Sequence, residues 1–124
     1  MKKRILSMLL VVCMLMSMLP TAVFAADASV SSQQDLLDAI ANASDGDTIT
    51  LTGSIDVDMS GTAANSGAIT VDKSITIDGA GYALNATNGS QNATLLLVAN
   101  GANAAIRNLT VNGNGYAKHG VQAY

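Results

Sequence analysis

From Thr48 onward the chain alternates aliphatic and polar residues in short stretches: Ile49 and Leu51, then Ile55, Val57 and Met59, then Ile69 and Val71, Ile75 and Ile77, Leu95 and Leu97, and Leu109 and Val111. A period of two places one set of side chains on each face of a β-strand, so each stretch predicts a short strand with its aliphatic residues inward and its Thr and Asp residues outward. The segments between them are rich in Gly, Asn, Ser and Ala, which is turn composition. Only the segment Ser31 to Ala43 has helical periodicity. Ser32 followed by Asp35 resembles a capping box, Leu36, Leu37, Ile40 and Ala43 share one face, and Gly46 is a plausible stop.

One phrase recurs. Ile75 to Leu84 read ITIDGAGYAL, and thirty-four positions later Leu109 to Lys118 read LTVNGNGYAK. Thr76/Thr110, Gly79/Gly113, Gly81/Gly115, Tyr82/Tyr116 and Ala83/Ala117 are identical, and a shorter version stands at Ile49 to Gly53. Paired-helix repeats of similar period need long amphipathic helices, which the glycines and β-branched residues forbid. The repeating unit is therefore a strand closed by a sharp corner, and the expected fold is an all-β solenoid. A single coil buries too few aliphatic side chains to offset its ordering entropy, so stacking of coils must supply the cohesion.

Residues 1–25 read differently. Lys2, Lys3 and Arg4 precede an apolar run from Ile5 to Leu19, Pro20 breaks it, and Val23 and Ala25 stand at −3 and −1 of a cleavage site. This is the pattern of a secretory signal peptide cut after Ala25, and the run is shorter than the ~20 residues that span a bilayer. Cys13 is preceded by Val12 rather than a small residue, which argues against lipidation. The expected organisation is a signal peptide at 1–25, a cap with a helix at 26–46, and the first coils of a solenoid at 47–124. Gly120 to Tyr124 begins another alternating stretch, so further phrases are expected to follow it.

Removing the leader changes the charge balance. The whole chain has a formal charge of −3, but three of its six cations lie in the leader, so Lys73, Arg107 and Lys118 face nine Asp and no Glu, a balance of −6. Such a surface cannot neutralise a run of phosphates, so nucleic acid and anionic membranes are not expected partners. The remainder also lacks Cys, Trp, Phe and Pro, leaving aliphatic packing and backbone hydrogen bonds to hold it.

The helix, the GDTITL phrase (Gly46 to Leu51), VDKSITIDGAG (Val71 to Gly81) and GANAAIRNLTVNG (Gly101 to Gly113) together resemble secreted bacterial right-handed parallel β-helix proteins of the pectin-lyase-like superfamily. The resemblance covers the chain beyond the leader. It implies a right-handed parallel β-helix with a short N-terminal capping α-helix, interior Ile and Leu columns, and stacked Asn ladders for which Asn108 and Asn112 are the candidates. It does not imply one activity, because the superfamily holds lyases, hydrolases, adhesins and surface proteins. The aromatic-Ile-Asp-His and Arg-x-Pro-x-x-Arg signatures of its pectate lyases are absent here.

Candidate chemistry is sparse. Asp56, Asp58, Ser60 and Gly61 copy the first half of an EF-hand loop, yet Gly67 stands where the bidentate Glu belongs, and a strand with an acidic outer face explains the same spacing. Asp56, Asp58 and Ser60 are thus weak calcium candidates. Gly79-x-Gly81 and Gly113-x-Gly115 lack the third Gly and following helix of a dinucleotide site, and read as corners. Arg107 corresponds to the base type of the resembling lyases, but Lys73 precedes a strand in the same way, which favours a recurring structural cation. His119, in a polar turn region, has no His, Cys or Glu partner. Tyr82 and Tyr116 occupy matching phrase positions and are expected to stack on each other rather than to form a sugar platform; Tyr124 is the third tyrosine.

The reading is an exported, secreted or surface-located scaffold or adhesin-like protein with no catalytic residue in this segment, facing a cell-surface polysaccharide or a host or envelope component. The alternative is the non-catalytic start of a polysaccharide lyase or glycoside hydrolase, with a ligand-free spacer as a third.

Overall fold

A computed structural model describes residues 26–89 and 91–124; the proposed leader lies outside the described residues. The chain forms ten strands and one helix: β1 (Asp27–Val30), α1 (Gln33–Asn42), β2 (Thr48–Leu51), β3 (Ile55–Asp58), β4 (Gly67–Val71), β5 (Thr76–Asp78), β6 (Ala83–Asn88), β7 (Thr94–Val98), β8 (Ala105–Arg107), β9 (Thr110–Asn112) and β10 (His119–Ala123).

These strands build three sheets, ordered β1-β2-β5-β8, β3-β6-β9 and β4-β7-β10, and every pairing is parallel. They are termed sheets A, B and C here. After β1 and α1 the chain visits A, B and C in that order three times, and each visit pairs with the strand of the visit before. Parallel neighbours therefore come from one full circuit earlier, and side chains of the same kind fall in columns. Ile49, Ile77 and Ile106 align in sheet A, Ile55, Leu84 and Val111 in sheet B, and Ile69, Leu96 and Val121 in sheet C.

Columns from all three sheets and the apolar face of α1 (Leu36 and Ile40) meet in one core cluster. The first two circuits are sealed, with Ile49, Ile55, Ile69, Ile77, Leu84 and Leu96 essentially inaccessible. The third is half open: Ile106 and Val111 are partly buried and Val121 is 49% exposed, because β8, β9 and β10 are the last strands of their sheets. Between them, packing and parallel ladders stabilise a chain with no disulfide among the described residues.

Helix α1 begins where Ser32 Oγ accepts the Asp35 N–H at 3.1 Å, a cap of about 1 kcal/mol. Its other end is held from sheet C's exit: Lys73 Nζ donates to the carbonyls of Ile40 (2.8 Å) and Ala41 (2.7 Å), and the Ile40 carbonyl also accepts the N–H of the C-cap residue Ala43 at 3.3 Å. The helix is shorter than the expected Ser31–Ala43, with Ser32 at its N-cap and Ala43 at its C-cap. Gly46 lies beyond it, at φ 95°, in the turn into β2.

Several expectations require correction. Strands β1, β6 and β8 carry Ala, Ser or Asn inward or outward where the pattern was too weak to predict a strand. In β7 every residue is buried, and Leu96 and Val98, not Leu95 and Leu97, are in register with the interior Ile69 and Val71. Leu97 pairs with Thr70 and Gln122, although it is itself 9% exposed.

The repeated phrase does not mark the stacking register. Ile77 stacks on Ile106, not on its phrase partner Val111, and Val111 stacks on Leu84. The two phrases occupy different stations of the circuit, one in sheet A and one in sheet B. What they share is the turn that follows. In Gly79-Ala80-Gly81-Tyr82 and Gly113-Asn114-Gly115-Tyr116 the first carbonyl accepts the Tyr N–H at 2.8 Å, and both central residues have positive φ (51° and 88°, 50° and 77°). That is type I′ geometry, which favours Gly and Asn and which Ala80 adopts here with φ 51°. The repeat encodes a local strand-and-turn unit, while the stacking period of 25 to 30 residues is set by register.

Candidate functional site

The outward faces carry the polar chemistry in rows. On sheet A, Ser29, Thr50, Asp78 and Arg107 are in register, beside the row Asp27, Thr48, Thr76 and Ala105. Arg107 Nε lies 3.0 Å from Asp78 Oδ2, with the Arg side chain 60% exposed. Asp78 Oδ1 accepts the Ala80 N–H at 2.9 Å and Asn108 Nδ2 at 3.2 Å. These contacts, led by the Ala80 N–H and followed by Asn108 and Arg107, hold the Asp78 carboxyl below its ordinary range. Asp78 thereby ties its own corner to the strand above it. Arg107 is committed to that carboxylate, and Lys73 is committed to the end of α1. The two cations are not equivalent, contrary to the sequence reading, because Arg107 ends a strand whereas Lys73 lies in the turn before one.

Sheet B presents Asp56, Asn85 and Asn112 in one outward row. Asn112 Nδ2 donates to Asn85 Oδ1 at 2.7 Å, forming the expected amide ladder, although on a strand rather than a corner. Asn108, the second ladder candidate, reaches Asp78 instead. Asp56 and Asp58 lie on the exposed face of β3, alternating with the buried Ile55 and Val57, as the period of two predicts. Asp58 Oδ1 accepts the Ser60 N–H at 2.9 Å, an interaction that lowers the carboxyl's pKa. The Asp58 backbone exchanges two hydrogen bonds with the Gln33 side chain (2.9 and 3.1 Å), so α1 covers this end of β3. Asp56, Asp58 and Ser60 thus follow a strand into a tight turn. Among the described residues no three His, Cys, Asp or Glu side chains are grouped to hold a metal ion.

Tyr82 and Tyr116 do not stack. Tyr82 O accepts the Thr110 N–H (3.2 Å) at the corner entering sheet B, whereas Tyr116 O accepts the Gln91 N–H (3.2 Å) at the corner leaving it. Their backbones lie at opposite ends of the sheet, separated by the six-residue β6, about 20 Å of strand, and the two residues are 41% and 40% exposed. The phrase repeat concealed this arrangement. His119 is an exposed first residue of β10, in register with Thr94, rather than a turn residue. On sheet C, Thr94 Oγ1 and Gln122 Oε1 are 2.8 Å apart.

One carboxylate escaped the sequence reading. Asp47, only 8% exposed, takes the Ala26 N–H on Oδ1 and the Ser44 N–H on Oδ2, each at 2.8 Å. These two donors lower its pKa against the opposing effect of burial, and Lys73 adds a smaller favourable charge. Its place in the GDTITL phrase offers no signal of this role, since the partners lie before β1 and after α1.

The arrangement can hydrogen-bond an extended polar ligand across repeated rows of hydroxyl, amide and carboxylate groups. No helix among the described residues is long and apolar enough to cross a membrane. No curated protein and no solved structure matches the chain. The family model for the pectate lyase-like adhesive domain matches residues 27–122, from the first residue of β1 to the penultimate residue of β10. Three circuits of parallel strands, outward polar rows and this match together place the chain in the pectate lyase-like adhesive domain family.

Proposed function

We propose that the chain is an exported, surface-located adhesive scaffold whose circuits form a right-handed parallel β-helix, and that it binds a polar polymer of a cell surface or envelope without cleaving it. In this reading residues 1–25 are a leader, 26–46 cap the solenoid with β1 and α1, and 47–124 supply the coils. The observation that carries it is sheet B, where Asp56, Asn85 and Asn112 stand in register on the outer face and a half-exposed tyrosine lies at each end of the sheet. Amides and carboxylates match sugar hydroxyls, and tyrosine faces match the apolar faces of sugar rings. The family's adhesive description supports the same class of role.

A catalytic role has less support. A lyase or hydrolase needs a base or a carboxylate pair poised over one bond. Here Arg107 and Asp78 are paired, Asp58 is turned onto Ser60, and His119 stands exposed on β10.

Surface-immobilised protein tested against envelope and plant polysaccharides, with release of unsaturated uronides read in parallel, tests the proposal. Retention of a polysaccharide that is reduced at least tenfold by Tyr82→Ala with Asn85→Ala, without product formation, is the expected result. Uronide release abolished by Arg107→Ala, or retention indifferent to the face variants, overturns it.

A further inference from the structure

The Ala26 nitrogen sits 2.8 Å from Asp47 Oδ1, and the sequence independently marks the Ala25–Ala26 bond for leader removal. We propose that Asp47 is the receptor for the mature N-terminus: hydrolysis of the Ala25–Ala26 bond creates an α-ammonium on Ala26 that docks on the Asp47 carboxylate and locks β1 onto sheet A. The proposal rests on the leader assignment and is independent of what the outer faces bind.

The covalent step is ordinary peptide hydrolysis by an export-linked leader peptidase with water as co-reactant. The C–N bond breaks, the hydroxyl of water stays on the Ala25 carbonyl carbon as a carboxylate, and the nitrogen of Ala26 leaves as an amine that is protonated near neutral pH. A single amide N–H becomes an ammonium with three donors and a full charge, at a position already within hydrogen-bond distance of a carboxylate. Charge-assisted hydrogen bonds are roughly twice as strong as neutral ones.

Asp47 is held in place by contacts that do not involve Ala26. Asp47 is nearly buried, its Oδ2 is fixed by Ser44 N–H, and its own backbone is pinned by Asp47 N–H to Ser44 O (3.0 Å) and Thr76 N–H to Asp47 O (2.9 Å). Ala26 is held in turn by the Thr48 N–H on its carbonyl at 3.3 Å. A cavity of about 190 Å³ lined by Ala26, Ala28, Ala39, Ala43 and Asp47, among others, opens beside these residues. Cleavage one bond later removes the docking nitrogen altogether, and cleavage one bond earlier places the amine about 3.5 Å further along the chain. The geometry and the −3/−1 pattern thus select the same bond.

The other charged groups around the pair are Asp27 on β1, Asp45, which accepts the Ser74 N–H, and Lys73, whose side chain reaches the end of α1 from the turn before β5. The carboxylates of Asp47, Asp27 and Asp45 favour the ammonium and Lys73 opposes it. The amine pKa should therefore rise above the ~8 of a free α-amino group. Stability from the pair is fully present below the unfolded amine's pKa and is lost as pH rises through the folded value.

The test uses the full chain exported from a bacterial host. Intact mass of the exported product is expected to begin at Ala26, and the Ala26 amine, followed by NMR, is expected to titrate about one unit or more above ~8. Asp47→Asn should return it to the ordinary value, and Nα-acetylation of the exported protein should lower its melting temperature by a few degrees while leaving the leader-bearing form unaffected. Because the wild-type titration needs no variant, a failure of Asp47→Asn to fold leaves the proposal testable. A product starting at another residue, or an Ala26 amine titrating at its ordinary value, overturns it. Loss of polysaccharide binding with an intact amine shift would sink the adhesive reading alone.

Discussion

Asn112 Nδ2 donates to Asn85 Oδ1 at 2.7 Å, joining equivalent positions of the second and third circuits on the outer face of sheet B. The bond is exposed, so its worth is that of an ordinary side-chain hydrogen bond. Asn85→Ala and Asn112→Ala should each cost about 1 kcal/mol, and the double variant should cost clearly less than their sum, because both singles break the same contact. Urea melts of the four proteins measure this; strict additivity would show that the ladder contributes nothing.

Gly79 and Gly113 hold the same place in the repeated phrase but not in the structure. A Cβ on Gly79 would collide with Asn108 O and stand 2.6 Å from Leu109 Cα, both backbone atoms of the next circuit, whereas one on Gly113 would meet only Ala117 Cβ at 3.4 Å. Gly79→Ala should therefore lower stability by about 2–3 kcal/mol and Gly113→Ala by less than about 1 kcal/mol. Thermal melts showing equal effects would argue that the two phrases occupy equivalent stations.

Ile77 is fully buried in the sheet A column, and Thr76 beside it is half-buried on the opposite face. Ile77→Asp should unfold or aggregate the protein, since an unpaired buried carboxylate costs several kcal/mol, while Thr76→Asp should shift the midpoint by no more than a few degrees. Circular dichroism melts that rank them in reverse would invert the assigned faces.

Much of the interior was legible because strongly aliphatic strands leave a clear period of two: Ile49, Leu51, Ile55, Val57, Ile69, Val71, Ile75 and Ile77 are all buried as expected. Helix α1 was legible through Ser32 and its spaced Leu and Ile residues. Strands β1, β6 and β8 were not, because Ala and Asn give no contrast and their pairing comes from neighbours a circuit away. The stacking register was obscured by a repeat that reports turn chemistry, and this misplaced the Tyr82/Tyr116 pair and equated Lys73 with Arg107. Asp47 was invisible because its role exists only when Ala26 and Ser44 converge on it.

Asp47, Asp58 and Asp78 all have carboxyls held below their ordinary range, chiefly by backbone N–H donors. A depressed folded pKa contributes stability that is present above the unfolded value and is lost as pH falls through the folded one. Melting temperature should therefore be nearly flat from neutral pH down to about 5 and then fall progressively below about 4. Asp78→Asn should make that acid limb shallower; a limb unchanged in Asp78→Asn and Asp47→Asn would remove these groups from the account.

The register of the circuits is tested most directly by methyl–methyl nuclear Overhauser effects in a specifically labelled protein. Parallel neighbours in one sheet lie about 4.8 Å apart, so Ile77 methyls should show strong cross-peaks to both Ile49 and Ile106, and Leu84 methyls to Ile55 and Val111. Cross-peaks linking Ile77 strongly to Val111 in place of Ile106, the pairing that the thirty-four-residue repeat would dictate, would contradict the three-sheet stacking.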